Sequence, residues 1–279
     1  MKMSNILKIK SRVKNAYAYI KYINHCYSNK DLPESVYFYT FHKCASTLFT
    51  SYILKNINGL YNVDYSFEIY SGRRRPDKKL MFRKKGIIYG PIRLSDNKMK
   101  TVGKAILIPT TKHEFIQDKI AIFMIRDPRD ILVSEYYSFG FSHGFSPVKE
   151  IKESQETKRE NIHTKSLDEY VLESATKQAK HFESLYEISN VCERSIILKY
   201  EEMINDFEHF IEKLRKFIAL EDNVVREIYQ RSRPRENEDT SSHRRSGQVG
   251  NFRNKLKEGT VKDLNKSLAE TLALFGYEA

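Results

Sequence analysis

The spacing of apolar residues changes several times along the chain, and each change marks an element. Val36 to Phe41 is a nearly unbroken run of β-branched and aromatic residues, which predicts a short buried strand. Small and hydroxyl residues follow, and Leu48, Phe49, Tyr52, Ile53 and Ile57 then recur at helical spacing. Tyr61 to Tyr70 reads as a second strand. Between residues 71 and 119 only short apolar pieces occur, Ile87-Ile88-Tyr89 and Ala105-Ile106-Leu107-Ile108, separated by basic turns. Ala121 to Ile125 predicts another buried strand, followed by a helix containing Ser134. Gly140 to Lys165 is polar and is expected to be a mobile loop or lid. It ends at Ser166-Leu167-Asp168-Glu169, a capping box that starts a helix reaching about Ile188. Helices are expected over 207–218, 222–231 and Leu264 to Leu274, with 231–250 as loop.

Strands alternating with helices predict an α/β fold, a mainly parallel sheet with helices on both faces. The signals span most of the chain, so residues 31–279 are expected to form one domain. Residues 1–30 precede the first strand as a basic helical extension, with Ile6, Leu7, Val13, Ala16, Tyr17, Ile20 and Ile23 as its apolar positions. Packing outside the sheet is its expected role, and peripheral membrane contact the alternative.

Composition narrows the classes. The chain has 279 residues, of which 40% are hydrophobic, ample for a core. No apolar run approaches the roughly 20 residues of a membrane span, and the N-terminus has no signal-peptide pattern. The three cysteines, Cys26, Cys44 and Cys192, are far apart, which disfavours disulfide scaffolds and zinc sites and suits a reducing cytoplasm. The net charge of +12 gathers at the N-terminus, around residues 73–85, and from 231 to 257. Such clusters raise nucleic-acid binding as one reading. Solvated loops, or attraction of an acidic acceptor, are the readings of the middle cluster.

Two segments carry chemistry. In Phe41-His42-Lys43-Cys44-Ala45-Ser46-Thr47-Leu48 a strand runs through a tight turn into a helix start. Unpaired backbone N–H groups, the Lys43 ammonium and the Ser46 and Thr47 hydroxyls would together cradle an anion, most simply a phosphate. The pattern is not G-x-x-x-x-G-K-[ST], so nucleoside triphosphate chemistry is disfavoured. In Arg126-Asp127-Pro128-Arg129-Asp130 an arginine ends a strand and a proline opens a helix, with Ser134 eight residues beyond Arg126. An arginine fork and a helical hydroxyl can hold one phosphate from two sides.

Together these segments resemble sulfotransferases that use 3′-phosphoadenosine 5′-phosphosulfate. The first is similar to that family's 5′-phosphosulfate loop, K-x-G-[ST]-[ST], with Ala45 where glycine is usual, and the second to its 3′-phosphate motif. Arg244-Arg245-Ser246-Gly247-Gln248-Val249-Gly250-Asn251-Phe252-Arg253-Asn254 resembles the family's R-K-G-x-x-G-D-W-K-N loop, departing at Ser246, Asn251 and Phe252. Tyr200-Glu201-Glu202-Met203 resembles its Y-E-[DE]-[ML] strand end, whose tyrosine lies near adenine.

The resemblance implies a P-loop-like fold and in-line transfer of a sulfuryl group to a hydroxyl or amine acceptor, for instance on a carbohydrate or lipid. Adenosine 3′,5′-bisphosphate leaves, and no metal takes part. It implies donor contacts from Lys43, Cys44, Ala45, Ser46, Thr47, Leu48, Arg126, Ser134, Tyr200, Arg244, Arg245, Ser246 and Gly247, with Lys43 stabilising the leaving oxygen. A bound bis-anionic nucleotide also accounts for the last basic cluster, so no nucleic-acid partner is expected. A non-catalytic nucleotide- or nucleic-acid-binding protein is the alternative. The K-T-H motif that carries the family's histidine base is missing. In relatives with a carboxylate base it lies about one helix beyond the loop, which points to Asp64 or Glu68, on one face of the expected strand. Glu68 is the first choice and His143 the second. For Cys44 a packing role is expected over a reactive thiol.

Overall fold

The computed structural model describes residues 16–27, 31–71, 82–93, 110–234 and 247–279. Five parallel strands form an open sheet in the order β2-β3-β1-β4-β5, where β1 is Val36–Thr40, β2 Tyr61–Val63, β3 Ile87–Arg93, β4 Ile120–Ile125 and β5 Arg194–Lys199. Every residue of β1 is buried, as is nearly every residue of β3 and β4. That explains their unbroken apolar character, because a parallel sheet is covered on both faces. Gly90 has φ 150°, and a Cβ there would lie 2.6 Å from the Phe38 carbonyl oxygen. Glycine therefore permits the irregularity where β3 shifts register against β1 between Tyr37 and Tyr39.

Residues 16–26 are helical (α1), and Tyr22 from this segment packs into the main core. Strand β1 leads into α2 (Ser46–Leu48), which continues as a π-type turn, Phe49–Ile53. The connection after β1 runs to one side of it, towards β2, whereas β4 leads away to β5 on the other. Between β1 and β4 the chain therefore reverses its direction of travel across the sheet. The crevice outside the carboxyl ends of such strands is where open α/β sheets bind ligands.

The expected strand over 61–70 is half right. After β2 the segment becomes a helix, α3 (Tyr65–Tyr70). Asp64 causes the switch: its side chain accepts from the Phe67 N–H at 2.8 Å and its carbonyl accepts from the Glu68 N–H, so it caps the new helix. Asp64 and Glu68 are thus related by helical spacing, not strand alternation. The expected loop over 140–165 is also corrected. It holds a π-type turn, Ser138–Ser142, and a helix, α6 (Lys149–His163), which follows α4 (His113–Ile116) and α5 (Pro128–Tyr137). Polarity hid this helix because most of it faces solvent, with Lys149–Glu153 and Lys152–Glu156 ion pairs one turn apart and Ile162 as its buried residue.

The capping box at Ser166 and Glu169 opens α7 (Leu167–Val191) as expected. The remaining helices are α8 (Tyr200–Asn205), α9 (Phe207–Arg215), α10 (Asp222–Ser232), α11 (Phe252–Lys255), α12 (Glu258–Ser267) and α13 (Ala269–Leu274). The single closing helix expected over 264–274 is in fact split at Leu268. A second apolar cluster joins α5 and α7 to α11–α13, through Leu132, Val171, Phe252, Leu264 and Leu272. Ala105 to Ile108 lies outside the described residues.

Candidate functional site

Beyond Thr40 the chain turns sharply before α2. Two residues of this turn other than glycine have positive φ, Lys43 at 67° and Ala45 at 54°. Left-handed backbone of this kind costs an L-residue about 1–2 kcal/mol, so the surrounding structure must hold it in place. Handedness alternating around Cys44 is the backbone form of an anion-binding nest. Cys44 itself points into the core, fully buried, and burial pushes its thiol well above the usual range. It is a packing residue, and a thiolate at this place is disfavoured. The Lys43 ammonium donates to the Ser138 hydroxyl and lies 5.6 Å from the centre of the Phe139 ring. The loop is thereby joined to the segment that follows α5.

Each residue of the Arg126–Asp130 segment has its own task. Asp127 caps α5 by accepting from the Arg129 N–H at 2.9 Å, and Pro128 occupies the first turn, where its missing donor costs nothing. Arg129 makes a two-point contact with Asp127 (3.0 and 2.7 Å) and reaches Asn265 and the Glu278 carbonyl, tying the C-terminal helices to the sheet. Asp130 accepts from the Gly250 and Phe252 N–H groups at 2.8 and 3.0 Å and pairs with Arg126 at 3.2 Å. Gly250, like Gly247, has φ 72°, a conformation that suits glycine in a loop folded over the carboxylate.

Arg126 sits among these groups. It donates to the Gln248 carbonyl at 2.9 Å and its guanidinium lies 4.5 Å from the Tyr200 ring centre. Burial lowers its basicity, but Asp130 and the neighbouring Tyr200 and Glu201 outweigh this and hold its pKa above the ordinary value. Its Nε is buried and has no hydrogen-bond partner among the described residues. Tyr200 donates to the Gly247 carbonyl at 2.6 Å, so β5, β4 and the glycine loop meet here.

One cavity of about 760 Å³ opens at this end of the sheet. Lys43, Ala45, Ser46, Thr47, Leu48, Arg126, Ser134, Tyr200 and Gly247 line it, all expected from the sequence. Cys44 lies beneath the loop. Arg244, Arg245 and Ser246 fall outside the described residues. Of the candidate bases, His143 and Asp64 line the cavity and Glu68 does not. Tyr70 donates to the Gly144 carbonyl at 2.8 Å, accepts from Gln155 at 3.2 Å and lies 3.5 Å from His143 Nε2. Arg159 on α6 donates to the His143 carbonyl and to that of Phe139. Sequence reasoning missed Tyr70, Arg93, Ser138 and the wall formed by Tyr52 and Arg231, whose guanidinium stacks 3.7 Å from the Tyr52 ring centre. No local motif marks them, since five separate segments bring them together.

An open parallel α/β sheet, with a cavity lined by Lys43, Arg93, Arg126 and Arg231 at its switch point, is of the P-loop-like kind. The model of the sulfotransferase domain matches residues 108–276, more than half of the chain, and the protein belongs to that family. Its fold is also similar to that in the crystal structure of mouse sulfotransferase SULT7A1 complexed with PAP. That match has a TM-score of 0.54 and 16% identity, over 88% of each chain. No curated protein matches the chain. Among the described residues, no helix is long and apolar enough to cross a membrane.

Proposed function

We propose that this sulfotransferase uses 3′-phosphoadenosine 5′-phosphosulfate as donor and transfers its sulfuryl group to a hydroxyl of a small or carbohydrate acceptor. The observation that carries this reading is the meeting of Lys43, Arg126 and Ser134 on one cavity, from two loops that follow adjacent strands. In this assignment the turn from Lys43 to Leu48 holds the 5′-phosphosulfate, Arg126 and Ser134 hold the 3′-phosphate, and Tyr200 packs near the base. The donor contacts expected of Arg244, Arg245 and Ser246 remain part of the proposal.

The acceptor oxygen attacks sulfur as the bond from sulfur to the bridging oxygen breaks. The electron pair of that bond leaves on the 5′-phosphate of adenosine 3′,5′-bisphosphate, where the Lys43 ammonium meets the growing charge. The acceptor's proton needs a base on the cavity wall. Glu68 was the first expectation, but its place off the lining moves the assignment to His143. The Tyr70 hydroxyl, which donates to the Gly144 carbonyl, lies 3.5 Å from His143 Nε2 and helps to place the imidazole on the cavity wall. Asp64 is committed to capping α3.

The test is thermal unfolding with nucleotides. Adenosine 3′,5′-bisphosphate is expected to raise Tm clearly, and adenosine 5′-phosphate much less, since only the former carries the phosphate assigned to Arg126 and Ser134. Equal shifts would overturn the assignment. Radiolabelled donor with a panel of acceptors then identifies the acceptor.

A further inference from the structure

Arg93 brings a charge into the cavity that the donor assignment leaves unused. It is the last residue of β3 and pairs in register with Thr40, the last residue of β1. The sheet order places β1 between it and β4, so Arg93 stands about 10 Å across the sheet from Arg126, two strand spacings away. The phosphate loop lies between them. Arg93 lines the cavity, makes no ion pair among the described residues, and its buried Nε has no hydrogen-bond partner among them. Asp64 is the carboxylate on this side, and its Oδ1 accepts from the Phe67 N–H.

The cavity that Arg93 lines carries further groups of a particular mixture. Ser66 and Ser142 offer hydroxyls, and Phe67, 45% exposed, offers an apolar ring face. Hydroxyls beside an aromatic face suit a sugar ring, and a guanidinium suits a carboxylate, which it can grip at two points. We propose that Arg93 reads a fixed negative charge on the acceptor, and that the acceptor is a sugar bearing a carboxylate. This rests on the sulfuryl-transfer reading of the cavity and adds the substrate class to it.

The probes are p-nitrophenyl β-D-glucuronide and p-nitrophenyl β-D-glucoside, which differ in a carboxylate against a hydroxymethyl group. Each is titrated calorimetrically into the wild type, Arg93→Gln and Arg93→Lys, with and without adenosine 3′,5′-bisphosphate. The expected result is glucuronide binding at least about tenfold tighter than glucoside in the wild type. Arg93→Gln should erase that preference, Arg93→Lys should keep part of it, and neither should change affinity for the bisphosphate. Equal binding of the two glycosides, binding of neither, or a preference that survives in Arg93→Gln overturns the proposal while normal bisphosphate binding leaves the transfer reading standing. Failure of the bisphosphate to bind overturns the transfer reading, and with it the role of Arg93 as an acceptor reader.

Discussion

Lys43 and Ala45 share an unusual backbone but serve different ends, and substitutions separate them. Ala45 is held at φ 54°, where an L-residue is strained and glycine is not. Ala45→Gly relieves that strain and in return loosens the unfolded chain, so a net gain of about 0.5–1 kcal/mol is expected. Urea unfolding checks it, and a loss of stability would show that the methyl group packs usefully against the core. Lys43 is a matter of chemistry. Its compact ammonium is assigned to the bridging oxygen, a point that the broader guanidinium cannot occupy without displacing the loop. Both Lys43→Ala and Lys43→Arg should fold and bind donor, yet lose about a hundredfold or more in single-turnover transfer. Near-normal transfer by the alanine variant would leave Lys43 a positioning role, through its contacts with Ser138 and the Phe139 ring. The lysine was legible from the sequence, because a strand followed by a lysine and small hydroxyl residues is a local pattern. The strain at Ala45 was not, because backbone angles are set by the packing around the turn.

Among the elements, α5 is the one that ties the glycine loop to the end of β4. Its first residues present Asp130 to the Gly250 and Phe252 amides and to Arg126 at once. Removing the carboxylate leaves the two amides without their acceptor and the buried Arg126 guanidinium without its ion-pair partner. Asp130→Ala is therefore expected to cost roughly 3 kcal/mol or more in urea unfolding and to weaken bisphosphate binding, because Arg126 and the glycine loop lose their common anchor. Asp130→Asn keeps the shape and one acceptor, and should lose less on both counts. Unchanged bisphosphate affinity in both variants would show that the loop is positioned from elsewhere. The proline and the flanking charges announced a helix start here, and the capping box at Ser166 announced another. Helix α6 went unread, since its hydrophobic signal is little more than Ile162. What fixes it in place is contact with the Ser138–Ser142 segment, where Arg159 and His163 reach the Phe139 and Gly140 carbonyls.

On the scale of the molecule, the C-terminus is bound to the sheet through buried charge, and this gives stability a pH dependence. Glu201 accepts from the Asp127 N–H at 2.9 Å and from the Tyr277 hydroxyl at 3.1 Å, and burial holds its carboxyl above the ordinary 4.5. Between 4.5 and that raised value the folded protein binds more protons than the unfolded chain, so this group's contribution to stability falls as pH rises through the window. Glu201→Gln removes the titration and keeps a hydrogen-bonding amide. Relative to wild type, the variant should gain stability as pH rises through the window and show no further change above it. Urea unfolding from about pH 4 to pH 8 measures this, and a pH-independent difference would mean that Glu201 titrates as it does in the unfolded chain.

The sequence by itself determined the strands β1 and β4, the mainly parallel α/β class, and the two loops that follow those strands. Each of these rests on local signals: unbroken apolar runs, caps, and short motifs whose residues are neighbours in the chain. Tertiary structure alone decided the acceptor side. Asp64 turned an expected strand into a helix by capping it, which carried Glu68 off the cavity lining. His143, Tyr70 and Arg93 came to line one cavity from an extended segment, a helix end and a strand end. Nothing in the spacing of those residues encodes their proximity, because it follows from how β2 and β3 are laid beside β1 and how α6 pins the chain beyond α5.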